Sequence, residues 1–282
     1  MPANNRTELN LMMNQIEELW GHLDTLFKRL NETGGWDQKH GPDWTFADFP
    51  YHLAYCNRDL VGRPIELGRD LPKEEQELIT SPEALPDWNV RKFAERPAGQ
   101  SAAQSVAQWA DSCDTLRRLT AEMTDADPER PAWMPLFMGW GTAGISLDFC
   151  RVHDWSEFTQ LRVHMGLTKP VPSPAVTRAV LTGALNFMPM FLNKEAAGDR
   201  QFTTVMAFTD PGVGAWTVRV ADGAATVSEG ETTEAELVIT QSTDSFEKTR
   251  QGIQDPAEAM QSGQVQVSDF DNLAIFGQLF PM

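Results

Sequence analysis

Cysteine is scarce: three residues in 282, at Cys56, Cys113 and Cys150. An odd, sparse set excludes a disulfide framework and fits a reducing cytoplasm. No apolar run approaches the ~18 residues that a transmembrane helix needs. The N-terminal MPANNRTELN lacks the charged-then-apolar form of a secretion signal. Basic residues are also few, 23 Lys and Arg against 40 Asp and Glu, for a formal charge of −17. A polyanion of this size repels phosphate backbones and anionic lipid heads, so neither nucleic acid nor a charged membrane surface is an expected partner. P-loop, nucleophile-elbow and zinc-protease motifs are missing. Gly139-Trp-Gly-Thr-Ala-Gly144 spaces its glycines like a dinucleotide loop, but no strand precedes it and no βαβ context surrounds it. With 41% hydrophobic and 22% charged residues, the composition is that of a globular chain that can bury its own core.

The scarce residues are unevenly placed. All five histidines, all three cysteines and eight of the nine tryptophans precede residue 170. Lys169-Pro170-Val171-Pro172-Ser173-Pro174 then sets three prolines at alternate positions, which favours an extended linker over helix. The expected organisation is a first domain over 1–168, a proline linker over 169–174 and a second domain over 175–282. Both parts are acidic, and residues 171–282 carry −8 of the total charge.

Helical periodicity dominates the first part. Leu9, Met12, Ile16, Leu19, Trp20, Leu23, Phe27 and Leu30 recur at spacings of three and four, one apolar stripe on a long helix over 7–30. A second helix is expected from about Asp48, as N-cap, to Gly62, with Pro50 in the first turn. A third runs from Ser101 to about Thr124, and a fourth from Thr142 or Ser146 to the C′ glycine Gly166. Four long helices suggest a bundle, with residues 63–100 as a Pro-rich excursion.

The second part changes period. Ala175–Ala197 reads as an apolar helix. Short Val-, Thr- and Phe-rich runs follow at Phe202–Phe208, Ala215–Val220, Ala224–Ser228 and Ala235–Gln241, separated by turn residues. Helices at about Ser242–Arg250 and Asp255–Gln261, a strand at Gly263–Ser268 and a helix at Leu273–Leu279 complete an α+β domain with an antiparallel sheet. Phe187, Met188, Phe191, Phe202, Met206 and Phe208 can line a tunnel for an acyl or sterol-like ligand; the plainer reading makes them core.

Chemistry, if present, falls to the histidines. His153 and Glu157 are four apart on the fourth helix, so both side chains leave one face, stacked ~6 Å apart. His164 returns to that face but sits ~16 Å along the axis. His52 lies mid-helix between Tyr51 and Tyr55, the only tyrosines in the chain; the plainer reading is an interior histidine whose imidazole the tyrosines satisfy while they seal the core edge. His52 with the His153/Glu157 pair makes a three-point set of two imidazoles and one carboxylate, which leaves a bound divalent ion open positions. A solvated His/Glu ion pair is the commoner meaning of such spacing. Cys56 and Cys150, with His52 and His153, form a rival closed set. His22 reads as surface and His40 as loop.

Residues 44–55, Trp-Thr-Phe-Ala-Asp-Phe-Pro-Tyr-His-Leu-Ala-Tyr, resemble the second helix of the DinB-like four-helix metalloproteins, which include the mycothiol-dependent maleylpyruvate isomerases. His153-Asp-Trp-Ser-Glu157-Phe-Thr-Gln160-Leu resembles the paired ligands of that family's last helix, with Glu at a place where His is common. Ala235-Glu-Leu-Val-Ile-Thr-Gln-Ser, and Asp255 to Asp269 with its Gly263 turn, are similar to the sterol-carrier-protein domain. Gln264 and Gln266 stand where lysines are common there.

The resemblance implies a four-helix metal-binding bundle followed by an α+β domain. It carries the metal ligands onto His52, His153 and Glu157, with zinc the expected ion. The expected activity is a thiol transferase or isomerase that activates a low-molecular-weight, mycothiol-like thiol toward a small electrophile. A cation lowers a thiol's pKa, so the nucleophile exists at neutral pH. Asp48, one turn before His52, is the expected acceptor that orients its imidazole. One alternative is a carrier of a lipid-like ligand whose bundle is a scaffold or homodimer surface. Another is a metal-dependent hydrolase.

Overall fold

A computed structural model describes residues 2–40, 44–77, 79, 84–134 and 139–281. Contacts divide the chain into two compact units, 2–170 and 171–282.

In the first unit, α1 (Arg6–Thr33) buries Leu9, Met12, Ile16, Leu19, Leu23 and Leu30 along the stripe expected of it. Asn5 caps it by accepting from the Glu8 N–H, and Gly34, at φ +70°, ends it. The left-handed turn there suits glycine, which has no Cβ to clash. Two short strands, β1 (Lys39–His40) and β2 (Trp44–Thr45), pair antiparallel. His40, expected in a loop, is therefore in a strand; its neighbour Gly41 lies outside the described residues. α2 (Phe49–Tyr55) is buried at every residue. It runs on without a break into a π-helical segment, Cys56–Gly62, and then α3 (Arg63–Leu67). α4 (Lys73–Gln76) and α5 (Ala84–Ala94) follow. The excursion expected over 63–100 is thus partly helical, and it delivers the fully buried Trp88 to the core.

α6 (Ala102–Ala121) starts from a complete capping box between Ser101 and Gln104. β3 (Pro131–Met134) and β4 (Gly139–Thr142) pair antiparallel, and β4 with the start of the next helix carries the glycine-spaced motif; a strand does precede it, against expectation, but in an antiparallel pair and not in a βαβ unit. β4 feeds α7 (Ala143–His164), where Thr142 accepts from the Ile145 N–H. Gly144 is required here: a Cβ on it would lie 2.1 Å from the carbonyl oxygen of Ala3. α2 packs on α6 and α1 on α7, with the π-helical segment against both α6 and α7. These four rods are the bundle, and they bring α2 and α7 side by side.

The second unit opens with α8 (Pro174–Phe187), a 3-10 turn at Met188–Phe191, and α9 (Lys194–Ala197), capped by Asn193. One helix was expected over this span. Pro189 breaks it, because it lacks an N–H and its ring crowds the preceding turn. β5 (Phe202–Phe208), β6 (Gly214–Ala221) and β7 (Ala224–Glu229) form an antiparallel meander. β8 (Leu237–Gln241) departs from the antiparallel expectation. It pairs parallel to β5, with Thr204 opposite Leu237 and Phe208 opposite Gln241. Residues 230–236 carry the chain back across the sheet. α10 (Thr243–Arg250) and α11 (Pro256–Gln261) lead to β9 (Val265–Val267), antiparallel to β8, and α12 (Phe270–Leu279) closes the unit. The result is a mixed five-stranded sheet of order β7-β6-β5-β8-β9.

Candidate metal centre

α2 presents His52 toward the face of α7 that carries His153 and Glu157. The side chains of His52, His153 and Glu157 are 7%, 17% and 13% exposed, so the cluster is sheltered, with His153 and Glu157 the more open to solvent. The two Nε2 atoms are 3.2 Å apart. Glu157 Oε1 lies 3.9 Å from His52 Nε2 and 4.0 Å from His153 Nε2. Nitrogens bound at ~2.0–2.1 Å to one tetrahedral ion are about 3.3 Å apart. The imidazole pair meets that spacing, and the carboxylate stands a little over half an ångström beyond it. Cys56, one turn after His52, also falls in the cluster: its Sγ is 3.7 Å from His52 Nε2. Donor atoms of His52, Cys56 and His153 all lie within 4.8 Å of one another.

Hydrogen bonds set the orientation of both rings. Tyr55 Oη donates to Asn89 Oδ1 at 3.0 Å, so at 2.6 Å from His52 Nδ1 it accepts that ring's N–H. His153 Nδ1 lies 3.1 Å from Asp154 Oδ1 and donates to it. Asp154 is fully buried, and its other oxygen takes the Trp20 indole N–H at 2.7 Å and the Cys150 thiol at 3.7 Å. With each Nδ1 set against a protein acceptor, the two Nε2 atoms are left facing each other 3.2 Å apart, available to a proton or a cation. That is the arrangement of metal-bound histidines, whose far nitrogen donates to a fixed acceptor.

The local charge agrees. Burial, followed by the positive charge of His153, lowers the His52 pKa well below its ordinary value. Burial pulls His153 down too, but the Cys56 charge and the Asp154 hydrogen bond, with help from Glu157, win and raise it well above. Burial raises the Cys56 thiol, and the neighbouring His153 charge opposes the rise. Aromatic walls confine the space: Trp44 meets His52 edge-on at 5.0 Å, and Phe149 stacks on His153 at 5.9 Å.

The DinB superfamily profile matches residues 15–157, just over half of the chain and the span from α1 through Glu157. The chain belongs to the DinB superfamily. No curated protein sequence matches it. Among solved structures, it is similar to a mycothiol-dependent maleylpyruvate isomerase, with a TM-score of 0.55 and 12% identity over 92% of each chain. A histidine-to-alanine mutant of that enzyme gives a TM-score of 0.54 at the same identity and coverage. At this identity the likeness shows a shared fold.

Other expected positions in this DinB-superfamily chain fall differently. Asp48 does not reach His52. Its carboxylate accepts from the Thr45 N–H and hydroxyl and pairs with Arg96 at 2.7 Å. Asp48 closes the turn before α2 as the third residue of a capping box, and Tyr55 fills the orienting place assigned to it. Cys150 stands apart from the imidazoles, between Asn57 and Asp154, so the rival four-ligand set does not assemble. His22 is half-buried, stacked on Phe158 at 5.5 Å, and not a surface residue. His164 is exposed near the end of α7.

Asp154 and Asn89 were missed. Their only signals were an acid beside a histidine and an amide within the excursion. Of the tunnel residues, Met188, Phe202, Met206 and Phe208 are buried, Phe187 is half-buried and Phe191 is 45% exposed. The Phe208 ring packs edge-on against Trp216 and Phe246, as a core residue does. No helix among the described residues is long and apolar enough to cross a membrane.

Proposed function

We propose that His52, His153 and Glu157 hold one divalent cation, zinc by the chemistry of its donors, and that the centre serves a thiol transferase or isomerase. The thiol is of low molecular weight, mycothiol-like, and its target is a small electrophile. One observation carries the reading: two inward-facing Nε2 atoms 3.2 Å apart, with each Nδ1 set against a protein oxygen. A proton or a metal cation can join two Nε2 atoms at this spacing, and with a metal there, two neutral imidazoles plus one carboxylate leave a divalent ion positive and open to ligands. Membership of the DinB superfamily and the fold shared with a mycothiol-dependent isomerase support the thiol as the incoming ligand.

A cation here would lower the pKa of a coordinated thiol, supplying thiolate at neutral pH. The protein's own part is positioning. Tyr55 and Asn89 hold His52 in one tautomer, and Asp154, steadied by Trp20, holds His153. Trp44 and Phe149 pack against the two rings and limit their movement. The same reading takes residues 1–168 as the metal-binding bundle and 175–282 as a sterol-carrier-like domain, joined by 169–174.

The test is metal content and thiol binding. Purified wild type should carry one zinc per chain, and His153→Ala and Glu157→Ala should each lose it. Titration with mycothiol should perturb the cobalt-substituted spectrum. Full occupancy in both variants refutes the ligand assignment. Stoichiometric metal with no response to thiols refutes the thiol reading in favour of water activation.

A further inference from the structure

The geometry points to Cys56 as a third kind of donor to this centre, a thiolate that takes the fourth position beside His52, His153 and Glu157 on a soft or borderline cation and is the ligand an incoming thiol displaces. This rests on the metal reading above. His52 and Cys56 are four apart where α2 passes into the π-helical segment, so both leave the same face. Such segments are frequent at functional sites. Cys56 is 2% exposed. Its sulfur sits over the edge of the His52 ring, 3.8 and 3.7 Å from the two nitrogens, and its single side-chain torsion swings it along that edge.

A sulfur at ~2.3 Å and a nitrogen at ~2.0–2.1 Å from one tetrahedral ion are about 3.6 Å apart. The Cys56 to His52 Nε2 separation is within about 0.1 Å of this, closer than the Glu157 carboxylate comes to its own spacing. The other two cysteines have different company: Cys150 meets Asn57 and Asp154, and Cys113 meets the Asn57 amide. On binding, the Cys56 S–H proton leaves to water, as metal-ligating thiols require. A thiolate in the set selects zinc, cobalt or copper over magnesium and manganese.

The experiment uses the full chain, stripped of metal and loaded with one equivalent of Co2+. Wild type should show sulfur-to-cobalt charge-transfer absorption in the near ultraviolet. Cys56→Ser should still bind cobalt but lose that absorption, with affinity down roughly tenfold or more. Cys113→Ser should keep it. X-ray absorption of wild-type protein loaded with Zn2+ needs no variant, and should find one sulfur at about 2.3 Å. Stoichiometric metal with only nitrogen and oxygen neighbours, or an absorption unchanged in Cys56→Ser, overturns the Cys56 assignment and leaves the metal centre standing. If wild type binds no metal, both fall together.

Discussion

Replacing Tyr55 with phenylalanine removes one oxygen and almost nothing else. The ring is fully buried and keeps its edge contacts with Trp88, Tyr51 and Phe93. The lost hydroxyl takes the His52 Nδ1 hydrogen at 2.6 Å and gives its own to Asn89. Asn89 is half-buried and can turn to water. His52 cannot, because it is 6% exposed. An unsatisfied buried N–H costs about 1–3 kcal/mol. The metal-free protein escapes the cost by moving the proton to Nε2, where it can donate to His153 Nε2. The metal-bound protein has no such escape, since Nε2 is then a ligand. The penalty therefore falls on affinity: Tyr55→Phe should weaken metal binding 10- to 100-fold, about 1.4–2.7 kcal/mol, with little change in metal-free stability. Competition against a chromophoric chelator reads the first quantity, and urea unfolding of the apoprotein the second. Equal affinity in variant and wild type would show that Tyr55 does not set the His52 tautomer.

Three further outcomes follow from the same structure. Asp154→Asn removes a fully buried charged acceptor shared by His153, Trp20 and Cys150; it should lower metal affinity by a similar factor and also destabilise the apoprotein by about 1–3 kcal/mol, seen in urea. Gly144→Ala forces a Cβ against the Ala3 carbonyl; the overpacking should cost about 1–3 kcal/mol, and unchanged unfolding would mean that the segment before α1 is free to move away. Chelation should lower the thermal midpoint of the bundle, because metal at 100 times its dissociation constant adds about 2.7 kcal/mol of stability; a midpoint unmoved by chelator and by added Zn2+ would count against the centre.

Local patterns in the sequence carried most of the fold. The 3.6 stripe of α1 and the Val-, Thr- and Phe-rich run over Phe202–Phe208 are local properties, and both elements formed where expected. The parallel β5–β8 pair was hidden because strand order depends on a seven-residue crossover whose direction no local pattern encodes. Pro189 was visible, but the apolar run around it outweighed it in reading a single helix. At the site, spacing put His153 and Glu157 on one helix face, the family resemblance joined His52 to them, and the structure brings the three within 4.0 Å. Their supports were less legible. Asp48 looked right for His52 by helical position, yet Thr45 and Arg96 claimed it. Asp154 is adjacent to His153 in the chain, about 100° around an ideal helix, and only burial beside Trp20 turns it to the ring. Asn89 arrives from a segment whose helix α5 was masked by its prolines.

The most direct test of the central claim is anomalous diffraction at the zinc edge, from crystals of protein purified without chelator. One peak is expected, within about 2.0–2.1 Å of both the His52 and His153 Nε2 atoms. A peak elsewhere, or a hydrogen bond between the two rings with no anomalous signal after zinc soaking, would contradict it.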